Sequence, residues 1–137
     1  GIKDNLVKIF ISYKPNIVFS PDSQDQNADH RATNEFVKWA ISDVSQKDPN
    51  FKTPEVFNYL IHFSNYPGHL GYRPNYNLTP PLKLIDQERQ WFYFEMREDQ
   101  KEIKNRAVLK YKSQFGNPLL KGLMQSFVRI NELFSTE

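Results

Sequence analysis

Residues 90–115 read QWFYFEMREDQKEIKNRAVLKYKSQF, and the fold of this 137-residue chain depends on which secondary structure they form. One continuous helix is disfavoured because residues 97–102 are six consecutive polar residues, which would interrupt its apolar face. Both halves of the stretch instead follow a period of two, the pattern of a half-buried strand. The sequence therefore predicts an antiparallel hairpin in which residues 90–97 pair with residues 106–113.

The outer face of this predicted hairpin carries two sets of candidate binding residues. On the first strand, Trp91 and Tyr93 share that face, and Arg89 precedes them. Because Trp, Tyr and Arg contribute most to protein interfaces, these three residues are predicted to anchor a protein partner. The basic residues predicted on the outer face of the return strand are Arg106, Lys110 and Lys112. Basic strand positions beside exposed aromatic side chains would also suit single-stranded nucleic acid, through phosphate neutralisation and base stacking.

Hydrophobic periodicity predicts the other elements of the chain. They are strands over residues 6–13 and 17–19, a helix over residues 31–46, a helix from Pro54 to just before Pro67, and a last helix from Pro118 through Phe134. The resulting order, β-β-α-α-β-β-α, is that of an α+β domain, a small antiparallel sheet of about four strands with three helices packed on it. Since a chain of this length can bury one core, we expect a single domain over residues 1–137, alone or as a piece of a longer chain.

The segment Tyr66–Pro81, YPGHLGYRPNYNLTPP, holds four of the nine prolines and two of the five glycines. This density excludes regular secondary structure, and loops of such length inside a compact domain are usually functional or disordered. The interleaved tyrosines argue against disorder, so the segment is predicted to pack on the domain. Its central residues Tyr72, Arg73 and Tyr76 are predicted to take part in partner binding.

Composition and spacing exclude several classes of chemistry. The chain has no cysteine, which removes disulfides, thiolate catalysis and Cys-ligated zinc. Asp22, Asp25 and Asp29 resemble a calcium loop in spacing, but the central Gly and the closing Glu of such a loop are missing. The sequence also lacks a Gly-rich phosphate loop and a histidine pair at metal-ligand spacing. We therefore predict no catalytic constellation, no metal site and no cofactor.

Charge is nearly balanced overall, with 18 Lys+Arg against 16 Asp+Glu, but it is unevenly distributed. The stretch from Ile103 to Asn131 contains no acidic residue. Its basic residues are Lys104, Arg106, Lys110, Lys112, Lys121 and Arg129. Aromatic residues make up 15% of the chain, which suits both an aromatic core and a recognition surface.

The leading functional interpretation is a non-catalytic protein–protein interaction domain within a larger assembly, because aromatic excess and a long Tyr/Pro loop both suit recognition. A nucleic-acid-binding module that uses the basic strand is the alternative. A third interpretation, which leaves enzymatic activity open, is a small metal-independent nuclease or phosphoesterase with His62 or His69 as general base and Arg73 as oxyanion partner. Apolar runs are too short to span a membrane, and the cysteine-free composition favours the cytoplasm.

Overall fold

The structure, a computed structural model, describes residues 1–85 and 88–137. Its elements in chain order are α1 (Ile2–Tyr13), β1 (Ile17–Pro21), α2 (Ala28–Lys47), β2 (Glu55–Tyr59), α3 (Leu82–Ile85), β3 (Gln90–Glu95), α4 (Glu98–Val108), α5 (Lys112–Phe115), α6 (Pro118–Ser126) and β4 (Asn131–Thr136). The predicted α+β class is confirmed, whereas the predicted element order and the number of helices are wrong. Within the described ranges, no helix combines the length and apolar character that crossing a membrane requires.

The chain divides into two compact units, Gly1–Phe63 with Thr136, and Ser64–Ser135 with Glu137. In the first unit β1 and β2 pair in parallel, with Ile17 opposite Glu55 and Pro21 opposite Tyr59. The prediction of a purely antiparallel sheet is therefore wrong. A parallel pair needs a long crossover connection, and the 20-residue helix α2 provides it. The helix predicted over residues 31–46 is confirmed and begins three residues earlier, at Ala28.

The core of the first unit lies between α1, α2 and the two strands. Its buried members are Phe10, Val37, Ala40, Ile41 and Val44, and the partly buried Leu6, Val7, Val18, Phe51 and Val56 pack against them. The strand predicted over residues 6–13 is wrong, because this segment is α1. Val7 and Phe10 are three residues apart and both pack in this core, which a helix allows and a strand, with its period of two, does not, so packing overrides the β propensity of the Ile and Val residues.

The helix predicted from Pro54 is also wrong, because Glu55–Tyr59 forms β2. Val56 packs on the core, and the side chain of Asn58 accepts a hydrogen bond from Nδ2 of Asn34 on α2 at 2.9 Å. Alternate residues facing one partner is the geometry of a strand. The predicted strand at residues 17–19 is confirmed within β1.

In the second unit the first half of the predicted hairpin is confirmed as β3, but the return strand is wrong. Residues 98–108 form α4, and Lys112–Phe115 forms α5. The polar residues after Met96 begin a helix rather than interrupt one: the backbone N–H of Arg97 donates to Oε1 of Gln100 at 2.9 Å, and acidic side chains occupy the first turn.

The last predicted helix is confirmed in its first part and wrong in its second. It begins as predicted at Pro118, where Oδ1 of Asn117 accepts the backbone N–H of Leu119 at 2.9 Å. It ends at Ser126, and Asn131–Thr136 forms β4, which neighbours β3. The buried residues of β4 alternate along the strand and are Asn131, Leu133 and Ser135.

Candidate functional site

The Tyr66–Pro81 loop is held by hydrogen bonds at several points along its length. The backbone N–H of Gly71 donates to the carbonyl of Gly122 at 2.9 Å, and the N–H of Ile130 donates to the carbonyl of Tyr76 at 3.2 Å. Gly71 has φ +90°, a backbone conformation that favours glycine. Tyr66 is buried at the start of the loop, where its ring lies 5.8 Å from that of Phe127. The prediction that this segment packs on the domain is confirmed.

Arg129 lies beneath this loop and is only 1% exposed. Its Nε donates to the carbonyl of Ser126 at 2.5 Å, and its Nη2 donates to the carbonyl of His69 at 2.6 Å. Both acceptors are neutral, and within the described parts of the chain no carboxylate pairs with this guanidinium. Glu132, three residues further on, pairs instead with Lys104 at 2.5 Å. Arg129 is thus a buried cation whose hydrogen bonds go to two backbone carbonyls.

The ring of Tyr76 lies beside Arg129 and also beside a second arginine, Arg73. The Cζ atoms of Arg73 and Arg129 lie 5.7 and 5.8 Å from the centre of the Tyr76 ring. Burial lowers the pKa of Arg129, and repulsion from Arg73 lowers that pKa further, while Tyr66 and Tyr76 act in the opposite direction. The ring of His69 meets the ring of Tyr76 edge-on at 6.1 Å. Two guanidinium groups therefore share one tyrosine, and no described residue neutralises either of them.

Three of the predicted partner-binding residues are brought together at this site. Tyr72 and Tyr76 are 48% and 50% exposed, and Arg73 between them is also exposed. Their backbone belongs to the loop that the hydrogen bonds described above hold in place. The arrangement presents two half-exposed aromatic rings and a cation on a fixed backbone.

The other three predicted partner-binding residues lie on β3 or directly before it. Arg89 is engaged within its own unit, since its Nη2 donates to Oε1 of Glu137 at 3.0 Å and its side chain is nearly buried. Trp91 is half-buried, with its Nε1 enclosed and unpaired in the described structure. Tyr93, at 54% exposure, is the most accessible of the three.

The residues predicted to bind nucleic acid do not share a strand face. Arg106 lies in the last turn of α4, Lys110 in the turn that follows, and Lys112 at the start of α5. All three are exposed. The continuous basic face that the hairpin would have produced is absent, because the return strand is absent.

A second polar cluster lies at the carboxyl ends of β1 and β2 in the first unit, where open parallel sheets often bind ligands. Asp25 is buried there, and its oxygens accept the backbone N–H groups of Asn27, Ile61 and His62 at 2.8, 2.9 and 3.0 Å. Burial raises the pKa of Asp25, but these N–H groups together with the side chain of His30 lower it by more, so the pKa lies below the ordinary value of 3.8.

One imidazole adjoins this carboxylate, and a second imidazole lies beside the first. Nδ1 of His30 lies 3.2 Å from Oδ1 of Asp25, and the rings of His30 and His62 are 5.3 Å apart. Each oxygen of Asp25 already accepts hydrogen bonds from backbone N–H groups, so the carboxylate connects the loop after β1 to the loop after β2. Among the described residues, no group of three or more His, Cys, Asp or Glu side chains is placed to hold a metal ion.

The sequence predicted the exposed residues of this cluster, Tyr72, Arg73 and Tyr76, as candidates, and it did not single out the buried Arg129. Arg129 was named only as one of six basic residues in the stretch from Ile103 to Asn131. In the sequence, however, it stands between Val128 and Ile130 in an otherwise apolar run. Charged residues are rarely fully buried, so an isolated arginine in such a run is a signal that could have drawn attention to it. No protein-family model matches this chain, and no curated protein matches it either.

Proposed function

We propose that this chain is a non-catalytic protein-interaction domain that binds a partner protein through the Tyr66–Pro81 loop. One observation carries the proposal: Tyr72, Arg73 and Tyr76 are exposed on a backbone held by the hydrogen bonds of Gly71 and Tyr76. Tyr and Arg are the residue types that dominate interface energetics. A loop already ordered before binding loses less conformational entropy when the partner arrives, which favours affinity.

Exposed apolar side chains elsewhere support a place within a larger assembly. On α1, Ile2, Ile9 and Tyr13 are 65%, 55% and 80% exposed. Scattered exposed apolar residues are normal, but with Ile11, at 49% exposure, α1 carries four of them on 12 residues, which provides additional surface for protein contacts.

Photo-cross-linking tests the proposal directly. The photoreactive amino acid p-benzoylphenylalanine replaces Tyr72 in one protein and Tyr111, also exposed but outside the loop, in the matched control. After irradiation in a lysate of the native source, we expect a defined cross-linked partner from position 72. Adding Tyr76→Ala to the position-72 protein should reduce that product strongly, because an aromatic anchor contributes about 2 kcal/mol or more. Equal products from positions 72 and 111, insensitive to Tyr76→Ala, would contradict the proposal.

The nucleic-acid alternative predicts a different outcome in the same protein. Phosphate binding weakens steeply with salt, and Lys110→Glu with Lys112→Glu would remove most of it. On the proposed function, this double substitution leaves the cross-link from position 72 unchanged. Salt-sensitive binding of an oligonucleotide that the double substitution abolishes, with no cross-linked partner from position 72, would favour the nucleic-acid module instead.

A further inference from the structure

We propose that Arg129 and Arg73 bind the phosphate group of a phosphorylated side chain in the partner protein. This inference rests on the proposed function, since it names the chemistry that the Tyr66–Pro81 loop recognises. The site consists of the buried guanidinium of Arg129, the exposed guanidinium of Arg73 and the ring of Tyr76 that both approach.

The first argument is the uncompensated charge of Arg129. A guanidinium stays protonated in proteins and has five N–H groups, of which two are engaged here by the carbonyls of Ser126 and His69. Burying a charge without a counter-ion is costly, so structures normally pair it. Because no described carboxylate serves Arg129, an anion from outside the chain is the missing partner.

The second argument is the charge of the ligand. Arg73 adds a second cation at the same ring, and its repulsion is felt by Arg129. A carboxylate carries one negative charge, and so does each phosphodiester of a nucleic acid. A phosphomonoester carries about −1.5 to −2 at neutral pH and offers three acceptor oxygens, which matches two guanidinium groups. Clusters of arginines are the usual means by which domains recognise phosphorylated motifs.

The third argument is access. Arg73 and Tyr76 are exposed, so a phosphate can first meet Arg73. The half-exposed ring of Tyr76 lies 5.8 Å from Arg129, and the proposal requires a local movement at this ring for the ligand to reach the buried guanidinium. Tyr72, exposed on the same loop, is placed to contact the peptide around the phosphate.

The test uses a small probe so that no partner has to be known. Phenyl phosphate, a monoester, is titrated into the isotope-labelled protein, and amide shifts are followed by NMR. We expect saturable shifts at residues 66–81 and 126–130, with benzoate at least about tenfold weaker at equal ionic strength. Arg73→Gln, at an exposed position, should weaken phenyl phosphate by about tenfold or more, whereas the control Arg106→Gln on α4 should not.

Arg129 is tested with a conservative variant because its removal could unfold the unit. Arg129→Lys keeps a long side chain that ends in a basic nitrogen but loses the planar fork of N–H groups. We expect it to bind phenyl phosphate more weakly while its NMR spectrum remains that of a folded protein. Absence of saturable shifts, equal affinity for benzoate, or unchanged affinity in Arg73→Gln would overturn the inference. An oligothymidylate that binds more tightly than phenyl phosphate, and equally depends on Arg73, would overturn it in favour of a phosphodiester site.

The two proposals fail separately. If phenyl phosphate does not bind while the cross-link from position 72 still depends on Tyr76, the inference about phosphate is wrong and the interaction domain stands. If phenyl phosphate binds as expected but the cross-links from positions 72 and 111 are equal, the phosphate site stands and the loop is not the protein-binding surface.

Discussion

Asn131 and Leu78 exchange two hydrogen bonds that join β4 to the end of the Tyr66–Pro81 loop. The backbone N–H of Leu78 donates to Oδ1 of Asn131 at 2.8 Å, and Nδ2 of Asn131 donates to the carbonyl of Leu78 at 3.1 Å. Both residues are almost completely buried. A single side chain therefore satisfies both polar groups of one buried peptide position, as a neighbouring strand would do.

Asn131→Leu should destabilise the second unit by about 2–3 kcal/mol, because it leaves the N–H and the carbonyl of Leu78 buried without partners. Urea unfolding measures the loss, and hydrogen exchange at Leu78 should become faster. Asn77→Ala, at the exposed neighbouring position, is the control and should change stability by less than about 0.5 kcal/mol. Equal effects of the two substitutions would contradict the role of Asn131.

Asp25→Asn should lower the stability of the first unit at neutral pH by about 2 kcal/mol, since an amide cannot accept the N–H groups of Asn27, Ile61 and His62 as a carboxylate does. The pKa of Asp25 is lowered in the folded state, so its charge stabilises the fold above the unfolded value near 3.8. That stabilisation is lost as the pH falls through the lower folded value.

The pH dependence provides the measurement. Denaturant unfolding of the wild type and of Asp25→Asn should give a gap in stability that narrows as the pH falls below about 4. Asp29→Asn, on the exposed first turn of α2, is the matched control. A gap that widens on acidification would contradict the sign of the shift.

Phe10→Ala should cost about 3–4 kcal/mol, because the ring is buried among residues of α2. Ile11→Ala should cost less than about 1 kcal/mol, because Ile11 is exposed on the other side of α1. A strand over the same residues would have buried Ile11 and exposed Phe10. Thermal unfolding of the two variants therefore discriminates between the helix and the strand, and a reversed order would refute α1.

Asn117→Ala should destabilise α6 by about 1 kcal/mol, because the side chain of Asn117 accepts the backbone N–H groups of Leu119 and Leu120 at the helix start. Asn117→Asp keeps an acceptor oxygen at the same position and should retain most of the stability. Urea unfolding of both variants measures the contribution of the cap. If Asn117→Asp lowers the free energy of unfolding as much as Asn117→Ala does, the hydrogen bonds of the cap do not contribute to stability.

Local chemistry was sufficient for part of this fold. The start of α6 could be predicted because Asn117 and Pro118 act through bonds within one turn, and α2 because its apolar residues recur over many turns. The irregular backbone of the Tyr66–Pro81 segment could be predicted from its prolines and glycines. The candidate residues Tyr72 and Tyr76 within it are half-exposed in the structure.

The sequence by itself thus determined the α+β class, the long helix α2, the strand β1 and the existence of a packed Tyr66–Pro81 loop. Only the tertiary structure decided that Leu6 and Phe10 lie on a helix, that Val56 and Asn58 lie on a strand and that Arg129 is buried. Short runs of β-branched and aromatic residues fit either period, so the outcome depends on which surface they pack against. Whether a charge is buried depends on atoms distant along the chain, as the carbonyl of His69 is from Arg129.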